Sequence, residues 1–246
     1  MNTKVVTAAL LGTIVGLIGG FILANSINRS EINNLKARPE QQGTAPGGQK
    51  QNDAFNIDPD EIKAKIAEAD GNAGNFSFQK NLGLALYRYA AMKQDATLMA
   101  DATRILERAN SLEPKDYDVI VALGNSYFDT GYFAKDKASF QKARVVYGKA
   151  LASKPDDADV ITDVALTYFL DDPPELEKAV VEFNKALKFN PKHERALQFL
   201  TQTLLRQNNY DEAARTLDKL RAANPKNETI AGLESQIAAR EYAPVK

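Results

Sequence analysis

The sequence predicts an all-α fold, a solenoid of antiparallel helix pairs set behind a single transmembrane helix and a flexible linker. Three observations carry this. A small residue recurs every 41 positions in apolar, helix-forming text, at Gly83 in "NLGLAL", Gly124 in "ALGNSY" and Ala165 in "DVALTY". A second pattern of small and large residues follows each of these and is closed by a proline. Ahead of both lies a run from Val5 to Asn28 without a single charge.

Residues 1–28 read as the membrane anchor. Val5 to Ala24 is almost wholly apolar or small, and about 20 such residues are what a helix needs to cross a bilayer. A secretory signal has an apolar stretch of only about 7–15 residues. "LANS", ending at Ser26, nevertheless keeps a cleaved signal open as the alternative. Gly12, Gly16 and Gly20 recur every four residues and share one helix face. Such a face lets a second membrane helix approach closely, so self-pairing is one reading and the general frequency of glycine in membrane spans is the other. Lys4 precedes the run, while Arg29, Lys36 and Arg38 follow it. Counted alone, these basic residues keep the bulk of the chain in the cytoplasm, a small bias that a long domain can override.

Residues 29–56 form the linker. They include "ARPEQQGTAPGGQKQNDAF", with almost no large apolar side chain to offset the entropy of ordering. Order resumes at "NIDPDEIKAKIAEADG". Asp58 suits a helix N-cap, Pro59 the first helical position and Glu61 the reciprocal cap, while Ile57 and Ile62 stand at staple spacing. The helix should end near Gly71.

Glycine inside a helix costs about 0.5–1 kcal/mol relative to alanine, so Gly83 and Gly124 need a close neighbour to justify them. The second half-pattern supplies one. It reads Ala102, Leu106, Ala109, Pro114; then Ala143, Tyr147, Ala150, Pro155; then Ala179, Phe183, Ala186, Pro191; then Ala213, Leu217, Leu220, Pro225. Each set follows one helical face. This alternation resembles the tetratricopeptide repeat, over about residues 76–225, and Pro191 and Pro225 stand 34 apart, the standard repeat length. The resemblance implies a right-handed superhelix, with residues 57–225 holding an N-terminal helix and four repeats. Thr201 and Leu220 occupy small positions in the fourth repeat and should set its helices slightly further apart. The first two repeats are 41 long, read as one added turn on each helix, with an enlarged loop at "FDTGYFAKDKASF" as the alternative. Residues 226–246 hold a capping helix with Ile230, Leu233 and Ile237 on one face, then a tail.

Composition narrows the function. A formal net charge of -1 gives no basic field for nucleic acid, and the absence of cysteine removes disulfides and thiolate chemistry. No nucleotide-binding, hydrolase or zinc-peptidase motif occurs, so no catalytic residue, cofactor or metal is expected. His193, the one histidine, reads as a plain surface residue. "PDDAD" at 155–159 and "DDPPE" at 171–175 lack the spaced ligands and glycine of a calcium loop and read as solvated turns and helix starts.

The resemblance implies that the first helix of each repeat lines a concave protein-binding face. Carried onto this chain, that face holds Lys80, Leu84, Tyr87 and Arg88; then Val121, Asn125, Phe128 and Asp129; then Thr162, Leu166, Phe169 and Leu170; then Arg195, Gln198, Gln202, Leu205 and Arg206. Lys80 and Asn125 match the carboxylate clamp of co-chaperone relatives, but Leu84 departs from it. An apolar or amphipathic segment anchored on Tyr87, Phe128 and Phe169 is the preferred occupant, the alternative being that these rings serve the core. An anchored array resembles bacterial envelope proteins, the tetratricopeptide factors of cytochrome c biogenesis and ancillary subunits of the Sec translocon. This implies a single-pass inner-membrane protein with a periplasmic or extracytoplasmic array that binds a protein client. A structural subunit of a homo-oligomer or larger membrane complex, assembled through the glycine face, is the alternative.

Overall fold

The computed structural model describes residues 57–240; the expected anchor and linker, with Gly12, Gly16 and Gly20, and the tail from residue 241 lie outside them. Among the described residues are ten α-helices and no strand, and no helix is long and apolar enough to cross a membrane. The described chain divides between Pro114 and Lys115 into two compact units.

The first unit holds α1 (Pro59–Gly71), α2 (Phe76–Lys93) and α3 (Ala96–Leu112). The second holds α4 (Tyr117–Ala134), α5 (Lys137–Ser153), α6 (Ala158–Phe169), α7 (Leu176–Phe189), α8 (Glu194–Arg206), α9 (Tyr210–Ala223) and α10 (Ile230–Ala239). Helix starts are set by side-chain caps that satisfy otherwise orphaned N–H groups. Asp58 accepts from the Asp60 N–H, Asn75 from Phe78, Asp95 from Thr97 and Leu98, Asp116 from Val119, Asp136 from Ala138 and Ser139, and Asp157 from Val160. Asp157, in the acidic run at 155–159, is thus a helix cap.

The lengths of the repeats are explained by their helices. α2 and α4 have 18 residues and α3 and α5 have 17, against 13 in α8 and 14 in α9. The extra residues of the first two pairs therefore lie in helix, about one turn each, and only Gln94–Asp95 and Lys135–Asp136 separate the partners. The third pair differs, because α6 stops at Phe169 and residues 170–175 form a loop before α7.

The recurring small residues mark where the two helices of a pair touch. A Cβ on Gly83 would lie 2.9 Å from Leu106 Cδ2, and one on Gly124 would lie 2.5 Å from Tyr147 Cε1. Leu106 and Tyr147 are members of the second half-pattern, so glycine in one helix and a bulky residue in its partner form a single packing unit. Thr201 takes the small position of the fourth pair; it is fully buried and turns its hydroxyl onto the Leu197 carbonyl at 2.8 Å. In the first unit α1 is fastened at its C-terminus. Arg108 donates to the Ala69 carbonyl at 3.0 Å, Gln79 to the same oxygen at 2.7 Å, and Arg104 and Arg108 both donate to Asp70. The bond from Arg104, then that from Arg108, holds the Asp70 carboxyl below the usual range. At the far end, α10 buries Ile230 and Leu233, while Ile237 is half-buried.

Candidate functional site

The residues assigned to a concave face separate into open and buried groups. In the first unit Arg88 is exposed, and Lys80 and Leu84 are half-buried on α2. In the second unit Val121 and Asn125 on α4, Leu170 after α6 and Arg206 on α8 are half-buried. Lys80 and Val121, like Leu84 and Asn125, are 41 residues apart and occupy equivalent positions in their repeats. Within each unit the open side chains include both polar and aliphatic groups. Asn125 is also tied inward, its Oδ1 accepting from the Tyr147 hydroxyl at 2.7 Å.

The three aromatic anchors expected in the groove belong to the core. Tyr87, Phe128 and Phe169 are 2%, 4% and 3% exposed. Phe128 meets Phe140 of α5 edge to face at 5.7 Å, and Phe169 meets Phe199 of α8 in the same way at 5.5 Å. Phe199 in turn stacks on Phe183 of α7. Rings at helical spacing are consumed by neighbouring helices because aromatic burial outweighs any gain from leaving them exposed. Asp129, Thr162, Leu166, Arg195, Gln198, Gln202 and Leu205 are buried as well. Thr162 satisfies its hydroxyl on the Ala158 carbonyl at 2.6 Å.

A second correction concerns His193. It is 9% exposed rather than a plain surface residue, and it is the N-cap of α8. Nδ1 accepts from the Ala196 N–H at 3.2 Å, which requires that nitrogen to be unprotonated, and Nε2 donates to Asp159 Oδ1 at 2.9 Å. Arg195, two residues on, pairs with buried Asp163 and also donates to the Asp159 carbonyl at 3.3 Å. This cluster ties α8 to α6. Burial pushes the Asp163 carboxyl up to about 6 against the opposing charge of Arg195. Sequence reasoning missed the cluster, though its signal exists: Asp159 and His193 are 34 residues apart, one repeat length.

Among the described residues no group of acidic, histidine or cysteine side chains could hold a metal ion. "DDPPE" is explained by its first residue. Asp171 is buried and paired with Arg144 at 3.4 Å and Lys137 at 3.7 Å, a salt bridge between α5 and the loop before α7. Arg206 is likewise held, donating to the Phe169 carbonyl at 2.9 Å with its guanidinium 4.6 Å from the centre of the Phe169 ring.

Comparison with known proteins agrees with this architecture. Residues 175–237 match the tetratricopeptide repeat family model, and residues 72–169 match that of the plant-specific mitochondrial import receptor subunit TOM20. No curated protein matches the sequence. Among solved structures, MamA is similar with 21% identity and a TM-score of 0.53 over 67% of this chain and 87% of its own. MamA from Desulfovibrio magneticus RS-1 is similar with 18% identity and a TM-score of 0.53 over 69% and 86%. A thermophilic tetratricopeptide protein from Thermus thermophilus gives 18% identity and 0.51 over 74% and 97%. At these identities the likeness is one of fold. The helix-pair architecture is thus like that of tetratricopeptide-repeat proteins, and residues 175–237 match the repeat itself.

Proposed function

We propose that the chain is a membrane-tethered scaffold that binds an extended or helical segment of a partner protein on the first-helix faces of its repeats. Tetratricopeptide repeats bind protein partners, and scaffolds of this type are in general not enzymes. The observation that carries the proposal is the recurrence of half-buried positions: Lys80 and Leu84 on α2 and their equivalents Val121 and Asn125 on α4 all stay partly accessible, the same two positions in successive repeats. The family matched by residues 72–169 is named as a mitochondrial import receptor subunit, which supports a receptor-like role for this array. Residues 5–24 supply the tether and, by the resemblance to envelope proteins, the array works on the extracytoplasmic side. Apocytochromes and newly translocated chains are the client classes this reading favours.

The test is photo-crosslinking in cells from Leu84 and Val121, with Val145 and Val181 as outward-facing controls, which are 66% and 64% exposed. A discrete adduct specific to Leu84 or Val121 identifies the client and, through its compartment, the orientation. Adducts to this protein alone would replace the recruiting scaffold with the structural-subunit reading.

A further inference from the structure

The loop that breaks the repeat pattern also creates a cavity. It has a volume of about 440 Å³ and lies in the second unit, where the α4–α5 turn faces residues 170–174 and the end of α8. That is within the range of small-molecule sites, about 300–1,000 Å³. Part of its wall is apolar, built from Gly131, Phe140 and Leu170. Gly131 is required there, because a Cβ would lie 2.8 Å from Phe140 Cδ1.

The charge around this wall is unbalanced. Lys135, Lys137 and Arg206 line the cavity together with Asp171 and Asp172. Asp171 is already matched by Lys137 and by Arg144 behind it. Three cations and two carboxylates line the cavity, so its lining carries one net positive charge. Lys135 is the C-cap of α4, where a cation complements the helix dipole. Its φ is 52°, in the left-handed region, where the equivalent turns carry Gln94 and Asn208; Asn fits that region readily, and a long cationic side chain brings no conformational gain. Tyr132 adds a neutral donor, since burial pushes its hydroxyl above the ordinary value and keeps it protonated.

We propose that this cavity binds a small organic carboxylate with an apolar or aromatic body, its carboxylate held by Lys135 and Arg206 and its body against Phe140 and Leu170. The same chemistry comes from a free acid or from the C-terminus of a polypeptide ending in an apolar residue. Its lining includes none of Lys80, Leu84, Val121 and Asn125, so it stands or falls independently of the scaffold reading.

The experiment is calorimetric titration of the purified full-length chain with 3-phenylpropionate and with its neutral analogue 3-phenylpropionamide. The acid should bind saturably with a Kd of about millimolar or tighter, a fair value for so few heavy atoms. The amide should bind about tenfold more weakly, because the charge-assisted bonds are lost. Lys135→Glu should weaken the acid by about tenfold or more and lower the melting temperature only slightly, through the α4 dipole, since Lys135 is exposed. Equal binding of acid and amide, full affinity in Lys135→Glu, or no saturable binding would each overturn the proposal. Titration with Gly-Gly-Phe, free and C-terminally amidated, then assigns the source. Tighter binding of the free peptide than of phenylpropionate points to a polypeptide C-terminus, and rejection of the peptide points to a free acid.

Discussion

Within the second unit, two joints bring helices together by opposite means. Between α4 and α5 the contact is steric: Gly124 lies against the Tyr147 ring, with room for nothing larger than hydrogen. Between α6 and α8 the contact is polar: His193 meets Asp159 and Arg195 meets Asp163, all but Asp159 within a buried setting. The first joint draws its stability from shape, so its failure mode is overpacking. The second depends on matched charges out of water, so its failure mode is an orphaned ion.

The largest expected effect comes from orphaning that ion. Arg195→Ala leaves the Asp163 carboxylate buried without its partner, and breaking such a pair costs about 3–5 kcal/mol. Urea unfolding at pH 8 measures it. The penalty should shrink as the pH falls toward about 6, because without Arg195 the buried Asp163 carboxyl takes up its proton above that value. The sign in the intact protein follows from linkage: the folded value of about 6 lies above the ordinary 3.8, so the native state holds the proton more tightly. The stabilising contribution of Asp163 is complete below 3.8 and is lost as the pH rises through about 6. Relative to Asp163→Asn, the natural protein should therefore lose stability between those limits and run parallel to it above them.

The next effect breaks the steric joint. Gly124→Ala drives a methyl into the Tyr147 ring, which is packed at 1% exposure and cannot swing aside, so a loss of about 1–3 kcal/mol is expected. Replacing Tyr147 by Leu in the same chain should recover part of it, and the coupling in that double-mutant cycle measures the joint directly. A Gly124→Ala variant as stable as the parent would refute the close-approach explanation of the repeat.

Legibility in the sequence divides along the same line. The steric joint repeats: Gly83 with Leu106 and Gly124 with Tyr147 recur at a fixed spacing, so periodicity revealed both the helices and their contact. The polar joint occurs once, and its members are drawn from residues that also suit solvated turns. Nothing about His193 as a residue type tells a surface imidazole from a cap; only the position of the Ala196 N–H does. The aromatic positions show the remaining ambiguity. Phe128 and Phe169 fit the groove register and the core register equally well on a helical wheel, and the choice was made by Phe140 and Phe199 on other helices. Local pattern carries helix and face, whereas partner identity is a tertiary fact.

A smaller effect tests the cap. His193→Ala removes the acceptor for the Ala196 N–H and the donor to Asp159, and losing a cap costs about 1 kcal/mol. His193→Asn restores a capping oxygen and should recover most of it at neutral pH. Thermal melts of the three proteins separate the two roles, since full recovery in asparagine assigns the loss to the cap and a residual deficit assigns the remainder to the Asp159 bond.

The smallest effect has the opposite sign and isolates what makes Gly124 special. Gly148 also sits inside a long helix, α5, one residue after Tyr147, yet a Cβ there would meet nothing within 4 Å. It carries the conformational cost of glycine without the close approach that offsets it. Gly148→Ala should therefore stabilise the protein by about 0.5–1 kcal/mol, through a smaller loss of backbone entropy on folding. The two glycines lie on the two helices of one pair, so the unfolding curves of Gly124→Ala and Gly148→Ala should move to opposite sides of the parent. If both moved the same way, helix propensity or its absence would explain them together, and the neighbouring ring would have no part in it.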